Sequence, residues 1–369
     1  MMLSPPSPTL RMEIDTGAIA ENIARLRGML QSPARMTGVV KADAYGLGLD
    51  VIAPVMLDNG IDLFFVANLG EALKLRRIIG MGPRIALMGG YYEASPLWTD
   101  LRLIPVLNSL DELTKWQSAT NGLPSFLHID TGMNRLGVRY DEVQAIPASY
   151  KPDLVISHFA SADEPGHPQT EQQFLRFMEA TNARFPGVPR SLANSAGVMG
   201  DKRYHLDYVR TGKAVYGQPI LDDRPNPMQR AVRLLTKVLT INHVKAGDTL
   251  GYSATYTCPK DATLATVGVG YADGLCRTLS NNGNLYFKDA PCPIRGRVSM
   301  DLTIIEITDH PTPPQAGDWV EIIGPHQSEL DLARKMDTIT YEVMTNFGNG
   351  GRCERIVTSQ AQSRSTAAA

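Results

Sequence analysis

Short apolar runs recur along the first two thirds of the chain and alternate with segments of helical spacing. The eight runs cover residues 39–40, 63–66, 85–88, 103–107, 126–129, 154–156, 191–193 and 208–209. Between them, residues 70–79 and 170–177 have the three- and four-residue spacing of amphipathic helices. This alternation indicates parallel βα units. Eight such units favour a closed barrel, with a doubly wound open sheet as the alternative.

The pattern changes beyond Gly217. Residues 222–227 form a polar link broken by prolines, and the later apolar residues fall mostly in strand-like runs separated by Gly, Asn and Pro. These runs cover residues 232–241, 265–269, 301–307 and 319–323. The sequence therefore predicts a barrel domain over 1–228 and a mainly β C-terminal domain over 229–357. Residues 358–369 are small and polar with no apolar face, so we expect a disordered tail.

Composition excludes several classes of partner. The chain has 36 Lys and Arg against 38 Asp and Glu, which favours neither nucleic acid nor an anionic membrane. No run approaches the roughly 18 apolar residues of a membrane helix, and we expect a soluble cytoplasmic protein. The four cysteines lack C-x-x-C spacing, so we expect reduced thiols and no metal site.

A lysine follows the first apolar run directly. Lys41 is succeeded by Tyr45, Gly46 and Gly48, and the glycines allow a tight turn against a ligand before a helix begins near Leu49. A lysine that reaches out to the solvent is the alternative interpretation. A desolvated lysine amine loses its proton readily and can form a Schiff base with an aldehyde, which is the chemistry that pyridoxal phosphate needs.

Eight motifs occur in the order that alanine racemases have. Residues 41–48, KADAYGLG, resemble the cofactor-lysine motif of that family. The other matches are residues 130–137, 157–160, 193–197, 209–212, 251–256, 270–274 and 296–301. The resemblance implies a fold-type III enzyme that depends on pyridoxal phosphate, with an N-terminal (β/α)8 TIM-type barrel followed by a mainly β C-terminal domain. It also implies interconversion of L- and D-alanine, either to supply D-alanine for peptidoglycan or to catabolise it.

The resemblance assigns roles to individual residues. Racemisation needs an acid/base group on each face of a carbon, and the family places Lys41 on one face and Tyr252 on the other. Tyrosine has a pKa of about 10, so Tyr252 needs positive charge nearby. Arg135 and Met300 are implied to receive the substrate carboxylate. The implied cofactor contacts are Lys41, Tyr45, His158, Ser195, Arg210 and Gly212, with Lys213 added because it stands beside them in place of an apolar residue.

Ordinary structural roles remain open for several of these side chains. Tyr252 can instead be a packed tyrosine, His158 a hydrogen-bonded core histidine and Arg210 a partner in a surface salt bridge. If Arg210 does face the pyridine nitrogen, its permanent charge disfavours protonation of that nitrogen.

The chain also departs from the family at three positions. His128 stands where many members carry a lysine modified to a carbamate, and Val357 replaces a tyrosine. Together with Lys213, these changes bear on the substrate range. The competing functions are a racemase for serine or larger amino acids, a decarboxylase of the same fold and a non-catalytic barrel that binds pyridoxal phosphate. The resemblance further implies a homodimer in which Tyr252 and Met300 reach the site of the neighbouring subunit.

Overall fold

The computed structural model describes residues 8–91, 94–120, 122–221, 224–348 and 351–358. Contacts divide these residues into two units. The barrel unit comprises residues 19–44 and 49–229, and the β unit comprises residues 8–18, 45–48 and 230–358. The first strand of the chain, β1 (Leu10–Asp15), belongs to the β unit.

Eight parallel strands form the barrel unit. They are β2 (Arg35–Val39), β3 (Leu63–Val66), β4 (Arg84–Leu87), β5 (Leu103–Leu107), β6 (Phe126–Asp130), β8 (Leu154–Ile156), β9 (Arg190–Ser191) and β10 (Tyr208–Thr211), with β7 (Val138–Arg139) added beside β6. Each strand pairs with the next in chain order, and β10 pairs in parallel with β2. The sheet therefore closes. The predicted barrel is confirmed, and the open sheet is excluded.

Helices follow most of these strands. They are α1 (Thr16–Met29), α2 (Lys41–Tyr45), α3 (Leu49–Asp58), α4 (Leu69–Ile79), α5 (Leu97–Asp100), α6 (Leu110–Thr120), α7 (Pro168–Arg184) and α8 (Ser195–Met199), with 3-10 turns at Val143–Ala145 and Lys202–Tyr204. Of these, α2 is a left-handed turn rather than a right-handed helix. Asp15 caps α1, since its carboxylate accepts from the Ala18 amide at 2.9 Å. None of the helices in the described ranges is both long enough and apolar enough to cross a membrane.

The β unit is mainly antiparallel sheet. Its further strands are β11 (Val232–Val244), β12 (Thr249–Leu250), β13 (Tyr256–Thr257), β14 (Ala262–Val267), β15 (Asn284–Phe287), β16 (Ala290–Pro293), β17 (Thr303–Glu306), β18 (Trp319–Ile323) and β19 (Glu354–Thr358). Short 3-10 turns lie at Tyr252–Ala254, Tyr271–Asp273 and Arg277–Leu279. The predicted mainly β C-terminal region is confirmed.

Strand β1 belongs to a different unit from the one that the sequence predicted. The sequence placed residues 1–228 in the barrel domain, but β1 pairs antiparallel with β11 and parallel with β19. Its alternate residues Leu10, Met12 and Ile14 are fully buried, so the strand supplies one apolar face to the β unit. Local sequence carries no sign of this pairing, because both partner strands lie more than two hundred residues away.

Two helices also lie where the sequence predicted little helical spacing. They are α9 (Glu329–Met336) and α10 (Thr340–Gly348). Ser328 and Asp331 form a reciprocal capping box at the start of α9, and this pattern is visible in the sequence. Thr358 ends β19 rather than opening a tail, while residues 359–369 of the predicted tail and residues 222–223 of the predicted link lie outside the described residues.

Close backbone packing at Gly46 generates a stability prediction. Gly46 has φ +87°, and a Cβ atom there would lie 2.4 Å from the Met344 carbonyl oxygen. We expect Gly46→Ala to lower the free energy of unfolding by about 1–3 kcal/mol, since backbone must move. Gly28→Ala is the control, because a Cβ at Gly28 in α1 meets nothing within 4 Å and should stabilise by about 0.5–1 kcal/mol. Urea denaturation measures the free energy of unfolding of both variants. Equal changes in the two variants would show that the close backbone contact at Gly46 does not affect stability.

Candidate active site

Lys41 lies at the carboxyl rim of the barrel, two residues beyond the end of β2. It lines a cavity of about 210 Å³ together with His128, Arg135, His158 and Arg210. Each of these side chains lies at or shortly beyond the end of a barrel strand, apart from His128 and Arg210, which lie within β6 and β10. The rim at the carboxyl ends of the strands is where barrel enzymes place their reactive groups. Lys41, Arg135, His158 and Arg210 of the predicted set therefore line one cavity, whereas Ser195, Gly212 and Lys213 are not among its lining residues.

The backbone after Lys41 forms a left-handed turn. Residues 42–45 have φ between +51° and +58°, a conformation that L-residues seldom adopt. The Glu71 carboxylate supports the turn, because one oxygen accepts from the Ala42 amide at 2.8 Å and the other from the Ala67 amide at 2.7 Å. Asp43 accepts from the Leu49 amide at 3.0 Å and pairs with Lys74 at 2.5 Å. The turn that begins at Lys41 is thus fixed by two carboxylates.

The Lys41 amine lies in a cationic and partly buried setting. Within the part of the chain that the structure describes, no hydrogen-bond partner is recorded for its Nζ atom. Burial lowers the pKa of Lys41, Arg135 and Arg210 lower it further, and Glu71 opposes them. A lowered pKa increases the fraction of neutral amine, the form that acts as a nucleophile or a base.

Arg210 is a buried guanidinium held by neutral groups. It is 2% exposed, and its Nη1 atom donates to the carbonyl and the hydroxyl of Ser191 at 2.8 Å each. Its Nη2 atom donates to the Ser157 carbonyl and, at 3.1 Å, to Nδ1 of His158. Burial lowers the pKa of Arg210 to about 10, so it stays charged near neutrality. A surface salt bridge is excluded for Arg210.

The two histidines of the cavity are both neutral. Burial, followed by Arg210 and Arg135, lowers the pKa of His158 well below its usual range. Burial and Arg210 lower the pKa of His128 to about 4. Since arginine only donates, Nδ1 of His158 accepts and its proton lies on Nε2. His128 contacts Asn108, with 2.9 Å between Nδ1 and the Asn108 Oδ1 atom.

Ser195, the first residue of α8, lies beside Gly212, which directly follows the end of β10. The Ser195 hydroxyl is buried and accepts from the amides of Gly212 at 3.2 Å and Ala214 at 3.3 Å. Lys213, between these two amides, is half-buried. Hydroxyl and amide donors of this kind suit an anion.

Three predicted site residues belong to the β unit. Tyr45 is buried, with its ring centroid 5.6 Å from that of Tyr341. Burial raises the pKa of Tyr45, so its hydroxyl stays protonated. Tyr252 and Met300 are instead 68% and 53% exposed. The Tyr252 turn begins at Gly251, where a Cβ atom would lie 3.3 Å from the Arg297 amide, so the two loops are close neighbours.

Sequence and structure comparisons identify the family. Residues 14–219 match the family described as alanine racemase, N-terminal domain, and residues 231–357 match alanine racemase, C-terminal domain. The chain belongs to the alanine racemase family. The alanine racemase of Cereibacter sphaeroides is 40% identical, and the match covers 92% of this chain and 96% of that protein. The alanine racemase of Rhodospirillum rubrum is 38% identical, and the match covers 92% of this chain and 94% of that protein.

Solved structures of the family have the same fold. Alanine racemase from Bartonella henselae, with covalently bound pyridoxal phosphate, gives a TM-score of 0.90 at 34% identity and covers 96% of this chain and 100% of that one. Biosynthetic alanine racemase from Pseudomonas aeruginosa gives 0.85 at 32% identity, with 95% and 100% covered. The predicted resemblance and fold class are therefore confirmed.

Several polar residues around the cavity escaped the sequence analysis. Glu71 accepts a hydrogen bond from the Ala42 amide, and Asn108 contacts the ring of His128. Gln173 donates to the His158 carbonyl. Glu71 lies three residues after Asn68, whose side chain caps α4, so the pattern of a capped helix was a usable signal. Asn108 follows the apolar run of β5 directly, as Lys41 follows the first run. Among the described residues, no cluster of His, Cys, Asp and Glu could hold a metal ion.

The two carboxylates Glu71 and Glu112 generate a matched prediction. Glu71 uses both oxygens, whereas a single oxygen of Glu112 accepts from Tyr91 at 3.2 Å and from Asn108 at 3.0 Å. A glutamine has one acceptor oxygen, so it can replace Glu112 but must lose one amide contact at position 71. We expect Glu71→Gln to cost about 1.5–3 kcal/mol and Glu112→Gln under about 1.

Urea denaturation of the two variants measures this difference. Burial raises the pKa of Glu112, which further favours a neutral replacement there. Equal losses in the two variants would show that the number of oxygens used does not matter.

Proposed function

We propose that this chain is an alanine racemase that uses pyridoxal phosphate to interconvert L-alanine and D-alanine. The observation that carries the proposal is Lys41, a half-buried amine of lowered pKa on a fixed turn at the barrel rim, between Arg135 and Arg210. Membership of the family and the covalently bound cofactor of the Bartonella henselae structure support it.

The residues present fit the cofactor. When bound, pyridoxal phosphate supplies an electron sink that acidifies the α-hydrogen of an amino acid. Lys41 would hold it covalently through Nζ. Ser195, Gly212 and Tyr45 would hold the phosphate, with Lys213 adding positive charge. Arg210 would face the ring nitrogen, with His158 beside the ring, as the family implies.

Two groups of the protein then exchange protons with the substrate carbon. Once the substrate amine has displaced Lys41 from the cofactor, the free Lys41 amine would remove the proton from one face, so the C–H electron pair stays on the substrate and Nζ becomes an ammonium. The Tyr252 hydroxyl delivers a proton to the opposite face and is left as a phenolate. The reverse direction exchanges these roles. Arg135 and Met300 hold the carboxylate, since a guanidinium fork suits a carboxylate.

The competing enzyme and binding functions are less well supported. A decarboxylase of this fold would place a carboxylate where Arg210 lies, and the Ser191 and His158 groups that Arg210 contacts are neutral. The match of residues 231–357 to the C-terminal domain of the family distinguishes the chain from a barrel without that domain.

We further propose a cytoplasmic homodimer that supplies D-alanine for peptidoglycan or catabolises it, with the domain division near residue 228. The β unit exposes four large apolar side chains on loops joined to one another: Tyr252, Tyr271, Met300 and Leu302, at 68%, 46%, 53% and 42%. The Ala272 amide donates to the Met300 carbonyl at 3.0 Å, and the Ser299 amide donates to that of Leu302 at 3.0 Å. Such a surface suits a two-fold interface that brings Tyr252 and Met300 to the neighbouring site.

The first test of this function replaces Lys41. We expect Lys41→Ala to lower racemase activity at least about a hundredfold, because both the covalent link and one acid/base group are lost. Borohydride reduction and peptide mapping should give a cofactor-bearing peptide at Lys41 in the wild type only. Lys41→Arg is the control for charge and should also be inactive and unlabelled. A labelled peptide from either variant would exclude Lys41 as the attachment site.

The second test concerns the shared site. A heterodimer of Lys41→Ala and Tyr252→Phe chains, purified through two tags, should have about half of wild-type activity, because one of its two sites is intact. The matched control pairs a wild-type chain with a Lys41→Ala/Tyr252→Phe chain and should be inactive. The opposite pattern, an inactive first pair and a half-active control, would place both residues in one subunit.

A further inference from the structure

His128 has a fixed tautomer. The Asn108 amide nitrogen donates to the carbonyls of Met88 at 3.1 Å and Val106 at 2.8 Å, so both of its hydrogens are used. The atom that faces Nδ1 of His128 at 2.9 Å is therefore Oδ1, which can only accept. Nδ1 must carry the proton. A neutral imidazole has one N–H group, so Nε2 of His128 is left as an acceptor.

The protonation state of this ring is also defined. Burial, Arg210 and Arg135 lower the pKa of His128 to about 4, and the carboxylate of Asp130 opposes them. The neutral ring of His158 is a titratable neighbour of His128 in the same cavity. Near neutrality His128 therefore offers an uncharged acceptor in a cavity whose other polar groups include Lys41 and two guanidiniums.

The loop that carries Arg135 is anchored beside this ring. One Asp130 oxygen accepts from the amides of Gly132 and Met133 at 2.9 Å each and of Asn134 at 3.2 Å. Beyond Arg135, the Gly137 amide donates to the Asn108 carbonyl at 3.1 Å. A Cβ atom on Gly137 would lie 3.1 Å from the His128 carbonyl oxygen. Asn108 thus fixes both the tautomer of His128 and the far end of the Arg135 loop.

We propose that Nε2 of His128 accepts a hydrogen bond from the Arg135 guanidinium and so orients it over the cavity, which makes His128 a positioning residue for carboxylate binding. Arg135 is exposed, and the described residues record no hydrogen bond for its guanidinium. A guanidinium has five N–H groups, so one can be given to His128 while a pair remains for a carboxylate. The acceptor is neutral, so Arg135 keeps its full charge for that ligand. The inference rests on the proposed function for the identity of the carboxylate.

Three variants of the full-length protein with cofactor test this role. A glutamine oxygen can reach the place of Nε2, whereas an asparagine reaches only the place of Nδ1 and a leucine has no polar atom. We expect His128→Leu and His128→Asn to weaken binding of propionate about tenfold, the effect of one hydrogen bond, and to raise KM more than they lower kcat. His128→Gln should stay within about threefold of the wild type. Calorimetry measures propionate binding without turnover.

A double-mutant cycle with Arg135→Leu separates positioning from packing. If His128 acts through Arg135, His128→Leu should have no further effect on propionate binding in the Arg135→Leu chain. Equal losses in the Leu, Asn and Gln variants, or a loss that persists without Arg135, would overturn the proposal. If His128→Leu fails to fold in urea denaturation, the comparison of Gln with Asn decides. A protein that binds propionate in this pattern yet racemises no alanine would contradict the proposed function and leave the role of His128 standing.

Discussion

The left-handed turn after Lys41 is the constraint on which the barrel site depends. Four consecutive residues there have positive φ, at a cost of about 1–2 kcal/mol for each L-residue. Glu71 and Asp43 offset this cost by accepting backbone amides, since a hydrogen bond to a charged group contributes about 1.5–3 kcal/mol. Strain and its compensation are thus concentrated directly beside Lys41. Such strain persists only where surrounding structure determines the conformation.

The contact that Glu71 makes is repeated around the barrel. In each instance, the helix that follows β3, β5 or β8 sends a polar side chain to the backbone of its own loop and back to the loop after the preceding barrel strand. Glu71 and Glu112 do this with carboxylates. Gln173 does it by donating to the His158 carbonyl at 2.9 Å and to the Thr131 hydroxyl at 3.3 Å. The loops at the carboxyl rim are therefore fixed in neighbouring pairs, which holds Lys41 and His158 on a rigid frame.

The local sequence pattern predicted the strands of the barrel but not the polar side chains that hydrogen-bond to the loops at its rim. The apolar runs predicted all eight strands because most of these strands are buried on both faces and contain branched side chains. β1 was assigned to the barrel domain because its partner strands are far away along the chain, and α9 was missed because little helical spacing was predicted beyond Gly217. Among site residues, Lys41 was recognisable from its place after a strand. The role of Asn108 was not, because it depends on which carbonyls surround its amide in the folded chain.

The charges of the cavity connect stability to binding. Lys41, His128 and His158 all have lowered pKa values, so the unfolded chain binds more protons than the folded one when these groups titrate. Stability contributed by His128 is therefore lost as pH falls from about 6.5, its unfolded value, towards about 4. A bound anion opposes this loss of stability, because its negative charge compensates the positive charge of Arg135 and Arg210. Any ligand that binds only the folded state stabilises it. Burial and the positive charge of the cavity together weaken the folded chain in acid, and the same positive charge attracts a carboxylate or a phosphate to the rim.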